Sequence, residues 1–289
     1  MNINDPLVSV IILTWNRKED TLECIDSIYK QSYKNIEIIV VDNASTDGTP
    51  QAIKKTYPEV KLIHLPHNLG CPEGRNVGIV NSSGEILFFL DNDAIIEPHS
   101  LNKIVTRITA EEKLGIVQAK IIEDPSKFYV DISDKERYTH LFSGGASAFK
   151  KEVFDKVGLY PNDFFGQAEE SDLALRALEY GYDILYFPQA IIFHKASHEQ
   201  RNRKKIIKRQ FFNDIRVAWK YYPIHIALLQ TIGKTIIYIY DSLKNNNLFF
   251  VFDCVILINV IIQSLRKRTP VSKQTLLKRK QLKSNIRDR

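Results

Sequence analysis

The chain has 289 residues, 44% of them hydrophobic and 26% charged, which suits a globular protein with a sizeable buried core. Its net charge of +6 hides an asymmetry: residues 1–200 hold 20 Lys+Arg against 30 Asp+Glu, and residues 201–289 hold 20 against 4. The acidic front offers nucleic acid no positive surface, whereas the basic back suits an anionic partner. The three cysteines, Cys24, Cys71 and Cys254, are far apart and odd in number. They form neither a disulfide framework nor a zinc-spaced cluster, which points to a reducing compartment. The short polar stretch Met1–Pro6 has no signal-peptide pattern.

The first two hundred residues alternate between strand and helix patterns. Val8–Leu13 is an apolar, β-branched run suited to a strand buried on both faces. A helix follows, with Leu22, Ile25, Ile28 and Tyr29 on one face. Ile36–Val41 is the second strand, and its loop, Asp42-Asn43-Ala44-Ser45-Thr46-Asp47-Gly48-Thr49, is rich in turn residues. A short helix leads to the third strand, Val60–His64. A loop from Pro66 to Gly74 precedes a helix to about Ser82, and Ile86–Leu90 is the fourth strand. This order predicts an α/β fold with a mostly parallel sheet covered by helices on both faces. Further on, Leu114–Ile122 reads as a strand and 123–141 as irregular. Phe142–Phe149 reads as a strand interrupted by Gly144-Gly145. Glu170–Tyr180 is a helix stopped by Gly181, and two short strands follow, Asp183–Phe187 and Ala190–Phe193.

Asp91-Asn92-Asp93 ends the fourth strand, at the edge where ligands bind in such sheets. Carboxylates at i and i+2 there can converge on one divalent cation, and oxygen ligands suit Mg2+ or Mn2+ bridged to phosphate. A second acidic group, Glu169-Glu170-x-Asp172, opens a helix. The helix dipole explains the sign of these residues, at roughly 0.3–1 kcal/mol each, but crowded like charges oppose their number. Asp172 and Arg176 are spaced as a structural i, i+4 pair. His194 follows the last strand, with His198 as the backup; the other histidines, His64 among them, fall in no constellation, and Trp15 and Trp219 read as packing residues.

Six ordered pieces within residues 7–200 carry a resemblance. They are Val8–Arg17, Val40–Thr49, Asn68-Leu69-Gly70 with Gly74-Arg75-Asn76-Val77-Gly78, Asp91-Asn92-Asp93, Ser143-Gly144-Gly145 and Glu169–Arg176. In this order they resemble the family 2 glycosyltransferases, which have the GT-A fold. The Asn-Ala-Ser-Thr-Asp-Gly-Thr stretch and the late histidine look most like bacterial rhamnosyl- and related transferases of surface glycans. The resemblance implies that Thr14, Asn16 and Arg17 line a base and ribose pocket and that Asp42 accepts a hydrogen bond from the base or ribose. It further implies that Gly70 lets the backbone approach a ligand, and that Arg75 pairs with pocket carboxylates or a phosphate. Asp91 and Asn92 would contact the donor, Asp93 would hold Mn2+ or Mg2+, and Asp91 and His194 would assist it. Glu170, or Glu169 beside it, would be the base of an inverting transfer. The donor expected is a UDP- or dTDP-linked sugar and the acceptor a glycan or lipid-linked hydroxyl. Residues 1–200 would be the catalytic domain, divided into a nucleotide-sugar half (1–95) and an acceptor half (96–200).

Residues 201–289 read as a basic, partly apolar helical extension, with helices at Ile224–Tyr240 and Leu248–Leu265. The apolar run Leu248–Ile262 is short of the roughly 20 residues that a spanning helix needs. Residues 266–289 carry ten Lys+Arg and one acid, either a solvated terminus or a contact for anionic lipid at the cytoplasmic face of a membrane. A processive synthase would carry Gln-x-x-Arg-Trp, which Gln200-Arg201-Asn202-Arg203-Lys204 does not match. A nucleotidyltransferase would carry a Gly-rich first loop, absent from Thr14-Trp15-Asn16-Arg17. The alternative from another class is a non-catalytic nucleotide-sugar or partner-binding protein of the same fold.

Overall fold

The structure is a computed structural model that describes residues 5–123, 134–195, 203–244 and 250–287. Strands β1 (Val8–Thr14), β2 (Ile36–Asp42), β3 (Lys61–His64) and β4 (Ile86–Asp91) alternate with helices α1 (Lys18–Tyr29), α2 (Thr49–Thr56) and α3 (Cys71–Val80). They pair in parallel, with β1 between β2 and β4. β-branched residues dominate here because each strand is covered on both faces. Val8, Val10 and Ile12 pack on one side with α1 and α2 residues such as Cys24, Ile25 and Ile53. Ile11 packs on the other with Ile79 of α3.

Beyond β4 the sheet becomes mixed. Added elements are β5 (Ala94–Ile96), α4 (Ser100–Thr109), β6 (Leu114–Ile122), β7 (Arg137–Tyr138), β8 (Ala146–Lys150), α5 (Lys151–Val157), α6 (Glu169–Glu179) and β9 (Asp183–His194). The spatial order is β3-β2-β1-β4-β8-β6-β9-β5, with β7 paired to β9. β8 runs antiparallel to both β4 and β6. The parallel expectation thus describes the first half, and the whole is an α/β mixed sheet flanked by helices.

Three boundaries differ from the sequence reading. The two short strands before His194 are one strand, because the register jumps from Ala119↔Phe187 to Lys120↔Ile191. The chain between bulges out at Pro188, which has no N–H for the ladder. Helix α3 starts at Cys71, inside the expected loop, since Pro72 fits a first helical turn. The strand expected from Phe142 starts only at Ala146, after a turn in which Ala146 N–H donates to Ser143 O at 3.4 Å.

The C-terminal region forms α7 (Arg203–Tyr221), α8 (Ile224–Lys244), α9 (Phe250–Arg266) and α10 (Lys273–Arg287). Phe211, Phe212, Ile215, Trp219, Ala227, Tyr238 and Val260 make its own core, as expected for Trp219. A second cluster joins it to the sheet domain: Phe164, Ala168 and Leu175 meet Val217, Tyr221, Tyr222 and Val271. The solvated-terminus reading fails for α10. Leu282 packs against the cluster of α5 and α6, and Lys278 Nζ lies 2.7 Å from Asp183 Oδ1. No helix among the described residues is long and apolar enough to cross a membrane.

Candidate active site

Strand register gathers the acidic residues. Leu13 pairs with Asp91, Thr14 with Asp42 and Asp42 with His64, so the C-terminal ends of β1 to β4 share one edge. Asn92 Nδ2 donates to Thr14 Oγ1 at 3.0 Å, anchoring the middle residue of the acidic tripeptide to β1. β5 then runs antiparallel to the end of β9, with Ala94 opposite His194. This brings His194 Nε2 to 3.1 Å from Asp93 Oδ1 and 3.7 Å from Asp91 Oδ2. Lys195 fixes that strand end by binding Asp20 at 2.9 Å and Glu23 at 2.5 Å on α1. Burial pushes the Asp93 carboxyl up, and the hydrogen bond and charge of His194 pull it down further, leaving it below its usual value.

One ligand atom each from Asp91, Asp93 and His194 lies within 4.8 Å of the others. Two carboxylates and an imidazole at that separation fit one divalent cation. The donor set therefore suits the metal expected from the sequence. His198, the backup ligand, lies outside the described residues.

Arg75 connects this cluster to the second acidic group. Only 6% exposed, it reaches Asp91 Oδ1 through Nη2 at 3.3 Å. Its Nη1 lies 3.8 Å from both Glu169 Oε1 and Glu170 Oε1. Of the two roles left open for Arg75, carboxylate pairing is the one observed. Glu169 is 3% exposed. Burial, then the charge of Glu170, push its pKa up to about 7 against the pull of Arg75. Arg75 Nη1 and Glu169 Oε2 are both buried without a hydrogen-bond partner. The Ser143-Gly144-Gly145 turn presses on this array: a Cβ at Gly144 would strike Arg75, and one at Gly145 would strike the Asp91 carboxylate. Asp172 stands apart in a pair with Arg176 at 2.6 Å, and it also accepts from Tyr221 Oη at 2.8 Å.

The other sequence candidates lie on the β1–β2 side, where Thr14, Arg17 and Gly70 line the cleft and Asn16 and Asp42 do not. Asp42 is fully buried, and its Oδ2 accepts from Ser45 N–H at 3.1 Å and contacts His64 Nδ1 at 2.6 Å. This corrects the reading of His64 as isolated; the partner comes from β2–β3 register, which spacing does not reveal. Asp42 Oδ1 is buried and unpartnered. Asn16, at φ 51°, accepts Thr46 N–H at 2.7 Å and donates its N–H to Ser45 Oγ at 2.8 Å. Thr14 is buried against Thr21 Oγ1 at 2.7 Å. Thr14 and Asn16 thus use these polar groups to tie the end of β1 to α1 and to the loop after β2. Arg17 lines the cleft and pairs with Asp20 at 3.2 Å. Gly70, at φ 82°, packs against Phe165, whose carbonyl accepts Cys71 N–H at 2.9 Å. Gly70 thus touches the protein's own chain and also lines the smaller recess.

Two adjoining recesses result. The smaller, about 390 Å³, takes in Thr14, Arg17, Gly70, Asn92 and Asp93. The larger, about 900 Å³, takes in Arg75, Glu169, Glu170 and His194. Asp91, Trp15, Phe165 and Arg209 line both. Trp15 is 44% exposed, which corrects its reading as a packing residue. Arg209 and Lys205, one turn apart on α7, were missed as site residues. Their signal was the basic run Arg201–Arg209, whose docking depends on the fold. The Arg209 guanidinium stacks 4.2 Å from the Phe165 ring centre. A third cavity of about 950 Å³ lies between α8 and α10, with Ser171 of α6 in its lining.

A family model described as "Glycosyl transferase family 2" matches residues 9–158. An uncharacterized glycosyltransferase of Haemophilus influenzae is 27% identical over 239 residues, covering 72% of this chain and 73% of the relative. Glycosyltransferase GlyA of Streptococcus pneumoniae is 30% identical over 188 residues, covering 64% of this chain but only 25% of GlyA. A Rickettsia prowazekii glycosyltransferase is 30% identical over 55% of each chain. Among solved structures, the mannosyltransferase PcManGT from Pyrobaculum calidifontis, in complex with GDP-Man and Mn2+, superposes with a TM-score of 0.61. It shares 22% identity and covers 92% of this chain and 87% of its own. S. aureus TarS 1–349 in complex with UDP gives 0.56 at 19% identity, over 79% and 68%. At these identities the structural likeness establishes the GT-A fold.

Proposed function

This chain belongs to glycosyl transferase family 2, enzymes that move sugars from nucleotide sugars, and from that premise we propose an inverting, metal-dependent hexosyl or deoxyhexosyl transferase. Its donor would be a UDP- or dTDP-linked sugar, and its acceptor a hydroxyl of a glycan or lipid-linked glycan in cell-surface polysaccharide synthesis. The observation that carries the reading is the unbroken line from the Asp91-Asp93-His194 cluster through Arg75 to Glu169 and Glu170. It would hold leaving-group and base chemistry in one cleft.

Asp93, with Asp91 and His194, would hold Mn2+ or Mg2+, which when bound offsets the charge of the departing diphosphate. Arg75 positions the carboxylates on either side of it. The base accepts the acceptor's hydroxyl proton as that oxygen bonds to the anomeric carbon and the sugar–diphosphate bond breaks. Both Glu169 and Glu170 line the larger recess. The greater exposure of Glu170, 25% against 4% for the side chains, favours it as the group that meets the acceptor. Glu169 then tunes it by charge. Thr14, Asn16, Arg17, Asp42, Gly70 and Asn92 would form the nucleotide side, where Thr14, Arg17, Gly70 and Asn92 line the smaller recess. Residues 1–200 would act as the catalytic domain. The extension 201–289 would hold it to an anionic membrane at the cytoplasmic face, without nucleic acid as a partner.

Donor hydrolysis with and without Mn2+ tests the chemistry, comparing wild type with Asp93→Ala and Glu170→Ala. Equal rates in all three proteins would end this reading. A thermal-shift panel of uridine, thymidine and guanosine donors with Mn2+ identifies the base.

A further inference from the structure

The cavity between α8 and α10 is unlike the cleft. Apolar residues Ile226, Ile237, Leu276 and Leu277 line it together with five cations: Lys234, Lys273, Arg279, Lys280 and Lys283. Among its described lining residues the carboxylate is Asp214, already 2.6 Å from Lys234. Arg279 Nε is buried with no hydrogen-bond partner. Such a groove suits a ligand with a negative head and an apolar body.

The surroundings say which. Ile237 and Leu277 are 63% and 58% exposed, so the apolar lining continues onto the outer surface. Leu229, Ile232, Ile236, Tyr240 and Leu243 extend it as one exposed stripe along α8, at helical spacing of three or four residues. Val255, Ile258 and Ile262 form a second exposed apolar stripe on α9. A soluble anion would leave these stripes in water, a large apolar patch for a monomer. A second copy of the chain would bring one cationic groove toward another. A membrane leaflet covers the apolar stripes and supplies the missing negative charge together. Neither helix can span it.

We propose that the α8–α10 groove is a headgroup site for an anionic membrane phospholipid. The phosphate sits among Lys273, Arg279, Lys280 and Lys283, the acyl chains run past Ile237 and Leu277, and α8 and α9 lie flat in the leaflet. This deepens, and rests on, the peripheral-membrane part of the proposed function. Ser171, next to Glu170 in sequence, lines the groove, so a bound lipid abuts the helix that carries the candidate base.

Flotation of the full chain with vesicles of phosphatidylcholine, with or without phosphatidylglycerol, tests it. Variants are Lys280→Glu/Lys283→Glu in the groove, Ile236→Glu on the stripe, and Lys54→Glu/Lys55→Glu on the remote, exposed end of α2. Wild type is expected to float only with the anionic vesicles. The groove variant should lose at least about thirtyfold in partitioning, Ile236→Glu should lose binding as well, and the α2 variant should match wild type. Equal losses in the groove and α2 variants would overturn the site while leaving general membrane attraction standing. Failure of wild type to float would overturn both. Competition by millimolar inorganic phosphate would instead mark a soluble-anion site, and a dimer abolished by Ile236→Glu would mark a self-association face; either outcome overturns the proposal.

Discussion

Arg75 and Glu169 set the electrostatics of the cleft from beneath its surface. A buried carboxyl raised to about 7 from 4.5 binds its proton more tightly in the folded chain than in the unfolded one. Its contribution to stability is therefore complete below pH 4.5 and lost as pH rises through 7. Glu169→Gln should remove that dependence. The difference in unfolding free energy between variant and wild type should move in favour of the variant from pH 4.5 to 8, by at most about 3 kcal/mol, as denaturant titrations would read. A pH-independent difference would refute the assignment. Asp93 makes the opposite kind of prediction, about activity. Asp93→Asn keeps the volume but gives up a charged ligand, and kcat/KM with Mn2+ should fall by about a hundredfold or more. Mn2+ affinity, followed by electron paramagnetic resonance, should weaken with it. Sequence reading found both acidic groups, because carboxylates at a strand edge and a helix start have recognisable placement. It could not find the His64–Asp42 contact or the exposure of Trp15, since register and neighbouring loops determine them.

The turn before β8 and the loop before α6 act as shaped backbone. Gly145 leaves room for Asp91, and its carbonyl accepts Asp91 N–H at 3.1 Å. Gly145→Ala should fold, displace the Asp91 carboxylate and lower kcat by about a hundredfold, the scale set by a 1 Å misplacement. Little change in kcat would mean that the close packing does not serve the site. The loop before α6 holds Gln167 and Ala168 at positive φ, which side chains adopt at a cost. Asn213 of α7 secures it by donating to Gly166 O at 2.8 Å and Gln167 O at 2.9 Å. Asn213→Ala leaves two carbonyls unsatisfied and should cost about 1–3 kcal/mol. A raised KM should accompany the loss, because the same loop lines both recesses. A variant that loses stability with KM unchanged would assign the contact to folding alone.

Helices α7 to α10 are packed into the fold rather than loosely appended to it. Phe164, Leu175, Tyr221 and Val271 form one cluster across the junction, and α10 returns to pack Leu282 on the α5–α6 face. Deletion of residues 273–289 should therefore lower Tm by at least about 4 °C, measured by calorimetry, whereas a solvated terminus could be removed without change. The sequence by itself determined the alternation of strands and helices, the acidic groups at the strand edge and helix start, and the charge division near residue 200. These follow from local patterning and from composition. Tertiary structure alone decided that Asp93 meets His194, that Arg75 bridges two acidic groups, and that α7 brings Lys205 and Arg209 over the cleft. Each of these contacts joins residues distant in the chain, through strand register or helix docking, which depend on the whole packed core.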